Sequence, residues 1–207
     1  MSTVIDLLRH GKVDGASALY GSTDILVTRD GFKAMQQSLK VKPEKVFSSP
    51  LQRCAKFSQQ LTKQAILVDE LAEMNFGDWD GVPFDALNDH WDALHQFWQN
   101  PGLNPPPNGE NLDNFHRRVV KGWQLVTAHG KGQNNLVVCH GGVIRMILAH
   151  ILNVDYRQGS WYSGLSIDYA SLTRIEIPDH PNAQPVIRFI NMAAPTTSKT
   201  IFKESHD

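Results

Sequence analysis

The chain lacks the features that mark several large protein classes. Only two cysteines, Cys54 and Cys139, occur in 207 residues, too few for a disulfide framework. No run of ~18 apolar residues is present, so no membrane-spanning helix is predicted. The start, Met1-Ser2-Thr3-Val4-Ile5-Asp6, has neither the basic beginning nor the apolar stretch of a secretory signal. Charge of one sign is lacking too. Twenty Lys+Arg balance 21 Asp+Glu to a net charge of −1, which excludes a protein that binds nucleic acid through bulk basic charge. No G-x-x-x-x-G-K-[ST] or G-x-G-x-x-G occurs. Nine histidines include no H-E-x-x-H, and His90 and His95 stand five apart rather than four, so nucleotide-loop folds and zinc hydrolases are unsupported. These absences predict a cytoplasmic protein with no nucleic-acid or membrane partner.

What is present suits one globular unit. Hydrophobic residues make up 41% and charged residues 20% of the chain, which excludes a disordered polypeptide. The length predicts a single domain over 1–207. Val4-Ile5-Asp6-Leu7-Leu8 reads as a buried strand. A long irregular stretch follows to Thr28, and loops of that length in a compact domain are usually functional. Thr28 predicts the N-cap of a helix running through Lys40. A strand is expected at 45–47, then a helix over about 50–64 with Pro50 at its first position, and a strand at 65–68. Residues 70–110 read as an irregular and helical segment over the active site, with one helix over 82–98 and a Pro- and Gly-rich loop at 101–110. A long helix over 111–129, a buried strand at 135–139, a helix over 143–152 and strands at 171–177 and 185–190 complete the pattern. Strands alternating with helices predict an α/β fold, a three-layer α/β/α sandwich around a mostly parallel sheet.

Two strands end alike. The first runs into Arg9-His10-Gly11 and the later one into Cys139-His140-Gly141-Gly142. Ligands of open α/β sheets bind beyond the carboxyl ends of strands, so if these strands are neighbours, an arginine and two histidines meet in one crevice. The glycines let backbone N–H groups approach a ligand, and the helix after Gly142 adds a positive dipole end. Arg53 follows another strand and can point into the same place, which suits a phosphoryl group. Taken singly, an arginine is more often a surface charge and a histidine more often structural, but all four at strand or helix openings are much less expected by chance.

Four motifs in order resemble those of the histidine phosphatase superfamily, the phosphoglycerate mutase-like group. They are Leu8-Arg9-His10-Gly11, Ser48-Ser49-Pro50-Leu51-Gln52-Arg53, the stretch from Leu71 through Glu73 to Gly81, and Val138-Cys139-His140-Gly141-Gly142-Val143-Ile144-Arg145. The resemblance covers about residues 4–150. Within the superfamily, Glu70 to Trp79 and Pro107-Asn108-Gly109-Glu110-Asn111-Leu112 are most similar to the α-ribazole-5′-phosphate phosphatases of cobalamin nucleotide-loop assembly. Broad-specificity phosphatases share related segments. The acidic residue, Thr and Asn that the family often places after Arg-His-Gly are Lys12, Val13 and Ala16 here. The contact that the Asn makes with phosphate must come from elsewhere, and Thr23 is the expected substitute.

The resemblance implies that His10 is the nucleophile, attacking phosphorus to form a phosphohistidine. Arg9, Arg53, His140 and Gly141 hold the phosphate. Glu73 is the general acid, with Glu70 as the competing assignment. The substrate is a small-molecule phosphomonoester, and the scheme calls for no cofactor or metal. Trp79, Trp91, Phe97 and Trp98 offer an apolar wall for a benzimidazole riboside, although helical spacing favours core positions for Trp91 and Trp98. Glu110 and Asn111 either reach the mouth of the site or cap the helix that follows.

Four rivals stand beside this reading. Cys139 to Arg145 also fits the C-x5-R loop of cysteine phosphatases, in which a thiolate attacks phosphorus. A mutase keeps the same pocket but passes the phosphoryl group to a second hydroxyl. A phosphoester-binding module without catalysis fits the losses at Val13 and Ala16. A zinc hydrolase is the weakest.

Overall fold

The computed structural model describes residues 1–193, so the last part of the domain expected over 1–207 lies outside the described residues. Six strands form one sheet: β1 (Thr3–Arg9), β2 (Lys45–Ser48), β3 (Ile66–Leu67), β4 (Asn134–Cys139), β5 (Leu172–Ile177) and β6 (Val186–Met192). Their order is β3-β2-β4-β1-β5-β6. The first four run parallel, and β5 and β6 add an antiparallel edge. This is a mixed α/β fold flanked by helices.

Side-chain alternation along the strands builds a core on each face. Ile5 and Leu7 of β1, with Val137 of β4, pack in one cluster with Phe115 and Val119 of α4 (Leu112–His129) and Ile144 and Ile147 of α5 (Gly141–Leu152). Leu8, Leu136 and Val138 pack in the other with Met35 of α1 (Arg29–Ser38) and Phe57 of α2 (Gln52–Leu61). Each such side chain, fully buried, contributes about 1.5–3 kcal/mol relative to exposure. Thr28 caps α1, its Oγ1 accepting from the Gly31 amide at 3.0 Å, a contact typically worth ~1 kcal/mol.

Several boundaries differ from the sequence expectation. α1 stops at Ser38 rather than Lys40. α2 starts at Gln52, with Leu51 as N-cap, so Pro50 sits in the preceding turn. There the Leu51 amide donates to Ser49 Oγ at 3.3 Å, which holds the chain extended before the helix. The helix expected over 82–98 is broken into two short 3-10 turns, Phe84–Ala86 and Asn88–His90, before α3 (Trp91–Gln99). Leu87 and His90 leave the helical backbone region and interrupt the ladder ahead of α3. α3 buries Leu94 and Phe97, while Trp91, expected in the core, is 42% exposed and stacks on Phe84. α5 begins at Gly141, two residues earlier than expected, so both glycines form its first turn. A short helix, α6 (Gly159–Tyr162), carries no sequence signal.

The pairing that matters for function is β1 with β4. Their register sets Arg9 opposite Cys139. Arg9-His10 and His140-Gly141 therefore leave the sheet side by side at the carboxyl ends of parallel strands.

Candidate active site

A cavity of about 430 Å³ opens at that end of the sheet, within the range of small-molecule sites. Arg9, His10, Glu73, Gly141, Gly142 and Arg145 supply its polar lining. Tyr20, Phe76, Phe97, Trp98, Tyr162 and Tyr169 make much of the remaining wall.

His10 is buried, and its Nδ1 lies 2.8 Å from the carbonyl oxygen of Gly11. A carbonyl only accepts, so Nδ1 carries the proton and Nε2 keeps its lone pair. Burial holds the His10 pKa well below the ordinary value, and the positive charges of Arg53 and Arg9 push it the same way, against the Gly11 hydrogen bond. The imidazole is neutral at neutral pH, as a nucleophile must be. Gly11 packs directly against α1, where a Cβ would stand 2.3 Å from the Gly31 carbonyl oxygen.

Arg9 projects its guanidinium over the ring of Tyr169, 3.9 Å from the centroid, and NH1 donates to the Ile167 carbonyl. Its Nε is buried without a protein partner. Burial lowers the Arg9 pKa, and Tyr169 and Glu73 oppose that shift. Arg145 donates from Nε to the Leu165 carbonyl at 2.8 Å. Its NH1 comes within 3.6 Å of the position a Cβ on Gly141 would take. Two guanidinium groups thus converge where α5 begins, an arrangement that favours a dianion between them.

Arg53 and His140 lie beside His10 but do not border the cavity. Both are fully buried and stand behind the cavity lining. Arg53 donates from Nε to His140 Nδ1 at 3.2 Å, from NH1 to the Thr23 carbonyl, and from NH2 to the carbonyls of Tyr20 and Gly21. Because His140 Nδ1 accepts, its Nε2 donates to Ser49 Oγ at 2.7 Å. Burial and the neighbouring Arg53 hold the His140 pKa well below the ordinary value. Thr23, the expected substitute for the family Asn, is also off the cavity. Its amide donates to Asp80 Oδ1 at 2.9 Å while its carbonyl accepts from Arg53. Asp80 accepts from the amides of Gly21, Ser22, Thr23 and Phe76. Burial raises its pKa, but the hydrogen bonds from Thr23, Phe76 and Ser22 outweigh that and hold it below the usual carboxylate value. Arg53 and Asp80 together brace the loop that walls one side of the site.

Glu73 borders the cavity, and Glu70 does not. Glu70 pairs with Lys121 at 2.8 Å, which holds its carboxyl below the ordinary range. Glu73 Oε2 accepts from the Gly142 amide at 3.0 Å and Oε1 from the Met74 amide at 3.0 Å. The absent side chain of Gly142 makes room, since a Cβ there would be 2.3 Å from Glu73 Oε1. The carboxyl group therefore rests on the first turn of α5 and shares the cavity lining with Arg9 and His10. Glu110 lies away from this cavity, on Arg118 at 2.8 Å, and Asn111 caps α4 by accepting from the Asn114 amide. Trp98 and Phe97 border the cavity, whereas Trp79 is buried beneath it in the core.

Cys139 is fully buried in β4 and does not reach the cavity. Burial pushes its thiol well above the ordinary value, and the nearby Cys54 adds to the shift. The thiolate that C-x5-R chemistry requires is disfavoured here.

Sequence reasoning did not assign Arg145, Tyr162 or Tyr169 to the site. Arg145 had a signal: four residues after Gly141 on one helix, it shares that glycine's face. Tyr169 had none in local sequence. It is brought in because β5 starts beside the end of β1, where the Ala170 amide donates to the His10 carbonyl at 3.1 Å.

Known proteins share parts of this sequence and its fold. The "bifunctional protein Rv2228c" of Mycobacterium tuberculosis is 32% identical over 150 residues, covering 70% of this chain and 40% of that protein. The chain thus spans about two fifths of the length of the mycobacterial relatives it matches. The adenosylcobalamin/alpha-ribazole phosphatase of Salmonella typhimurium is 30% identical over 184 residues, covering 75% of this chain and 86% of that protein. The solved structure of Bacillus stearothermophilus YhfR superposes with a TM-score of 0.81 at 22% identity, over 92% of this chain and 98% of that one, and shares the fold. Residues 5–189 match the histidine phosphatase superfamily (branch 1). The chain belongs to the histidine phosphatase superfamily.

Proposed function

We propose that the protein is a phosphomonoesterase that works through a phosphohistidine on His10. The observation that carries this reading is the His10 tautomer: Nδ1 is spent on the Gly11 carbonyl, and the neutral ring borders the cavity with Nε2 unprotonated. Nε2 attacks phosphorus while the ester P–O bond breaks. Arg9, Arg145 and the Gly141 amide at the start of α5 stabilise the charge on the equatorial oxygens. Glu73 donates a proton to the departing alkoxide. Water then attacks the phosphohistidine, gives its proton to Glu73, and returns the electron pair of the N–P bond to Nε2. Arg53 and His140 support the phosphate site through the loop and strand ends they brace.

Two observations favour α-ribazole 5′-phosphate, in cobalamin nucleotide-loop assembly, as the substrate. A relative named as an alpha-ribazole phosphatase matches over most of both chains. Phe97, Trp98, Tyr162 and Tyr169 give the cavity an aromatic wall that suits a flat, apolar base. Such a site fits a cytoplasmic enzyme acting on a small molecule in one domain. A broad-specificity phosphatase or a phosphoglycerate mutase-type enzyme uses the same reacting groups, so substrate comparison separates them.

The test is phosphate release in EDTA by the native protein and by His10→Ala, from α-ribazole phosphate, sugar phosphates and phosphoglycerates. Turnover that depends on His10 and prefers α-ribazole phosphate supports both parts. His10-dependent turnover that prefers another ester removes the substrate assignment. Turnover untouched by His10→Ala removes the mechanism.

A further inference from the structure

Glu73 lies just beyond a turn with little backbone bonding of its own. Asp69–Leu71 is a single 3-10 turn that ends at Ala72. Its internal bonds join the Leu71 amide to the Val68 carbonyl and the Ala72 amide to the Asp69 carbonyl. The carbonyls of Glu70, Ala72 and Glu73 therefore depend on other partners, and an acid that follows so short a turn needs an external brace.

That brace is one side chain. Arg118 NH1 donates to the carbonyls of Glu70 at 3.0 Å and Ala72 at 2.6 Å, and NH2 donates to the carbonyl of Glu73 at 2.9 Å. The remaining two N–H groups, on Nε and NH2, reach Glu110 Oε1 and Oε2, each at 2.8 Å. All five guanidinium protons are used, and the bidentate Glu110 fixes the plane of the fork. Lys121 and Gly122, three and four residues further along α4, serve the same turn. Lys121 pairs with Glu70, and a Cβ at Gly122 would press to 3.0 Å on Glu70 and Leu71. One face of α4 thus cradles the turn that precedes Glu73.

We propose that Arg118, held by Glu110, is a positioning residue for proton donation by Glu73. This inference rests on the reading of Glu73 as the acid. Arg118 touches neither the cavity nor the reacting atoms. It fixes the backbone from which the carboxyl group reaches the leaving oxygen, and misplacement by a fraction of an ångström weakens proton transfer more than phosphate binding.

Leaving-group dependence separates this role from general structural support. An alkoxide needs a proton as it departs, whereas a nitrophenolate leaves without one. The value of kcat/KM reports steps through transfer to His10. It is to be measured for an alkyl phosphate and for p-nitrophenyl phosphate in the native protein, Glu73→Gln, Arg118→Lys and Glu110→Gln, with circular dichroism and Tm for each. Glu110→Gln keeps side-chain shape and provides the reading should Arg118→Lys not fold. We expect Glu73→Gln to lower the alkyl-to-aryl ratio by roughly a hundredfold, and Arg118→Lys and Glu110→Gln to lower it by roughly five- to thirtyfold, with a smaller loss on the aryl ester. If Glu73→Gln shifts the ratio but the folded Arg118 and Glu110 variants lower both esters equally, or neither, the positioning role is wrong. If Glu73→Gln leaves the ratio unchanged, the assignment of the acid itself fails.

Discussion

His10 and His140 stand with ring centroids 5.1 Å apart and carry opposite tautomers. His10 is protonated on Nδ1, toward Gly11, and His140 on Nε2, toward Ser49. Adjacent strand ends place the rings together, and their different hydrogen bonds divide their work. His10 presents a bare nitrogen, whereas both nitrogens of His140 are occupied by the protein.

This division predicts distinct outcomes for the two alanine variants. His10→Ala removes turnover and leaves the fold stable to within about 1 kcal/mol, because its one side-chain hydrogen bond is local. His140→Ala strands the Nε of Arg53, removes one of the two donors to the Ser49 hydroxyl, and lowers stability by about 1–3 kcal/mol. Its activity is reduced but not abolished. Steady-state kinetics with urea denaturation check both.

Acid should affect activity and stability in the same direction. Both histidines have folded-state pKa values well below the ordinary 6.5. Above that value neither group gives stability a pH dependence. As pH falls below it the unfolded chain takes up protons that the folded chain refuses. Stability then drops by up to about 1.4 kcal/mol per pH unit for each histidine, until the depressed folded value is reached. The acid limb of kcat/KM that reports His10 lies below 6.5 for the same reason. Urea midpoints at about pH 5 and about pH 7, compared between the native protein and His140→Gln, measure the first effect, since the variant loses part of the slope.

Cys139 should be dispensable for chemistry. Its thiol is fully buried and pushed toward the protonated form. Cys139→Ala is expected to keep activity within about threefold and to cost about 1–2 kcal/mol in stability, from lost packing alone. Thiol alkylation of the folded native protein should leave turnover unchanged. Loss of turnover by either route would revive the cysteine-phosphatase reading.

Arg53→Ala should behave as a loop and core defect. It leaves the carbonyls of Tyr20 and Gly21 and the Nδ1 of His140 without the Arg53 donor, and the Thr23 carbonyl with the Ile25 amide alone. We expect at least 3 kcal/mol of destabilisation, to order of magnitude, and faster hydrogen exchange at residues 20–23. Arg53→Lys restores one point charge and recovers only part of this, since an ammonium cannot reach four acceptors in a fixed plane.

The sequence made the reacting groups legible because they sit where parallel strands end, and strand ends are marked by short apolar runs followed by glycine. Arg9, His10, Glu73 and Gly141 were readable on that basis or by motif, and the structure lines the cavity with all four. The direction of Arg53 and His140 was not readable. A motif gives a residue type at a position, but whether a guanidinium turns toward a ligand or toward carbonyls depends on the Tyr20–Thr23 loop, which comes from far away in the chain. The helix expected over 82–98 is interrupted at Leu87 and His90, a break that hydrophobic spacing alone does not reveal. Arg118 carried no signal because its partners are backbone carbonyls 45 or more residues away.

The central claim is that the phosphoryl group passes through His10. Rapid acid-free quenching during turnover of a phosphomonoester, followed by peptide mapping under alkaline conditions, tests it directly, because phosphohistidine survives base and is lost in acid. The account predicts a phosphoryl group on the peptide containing His10, absent from His10→Ala. A phosphoryl group on Cys139, or turnover with no covalent intermediate at any quench time, would contradict it.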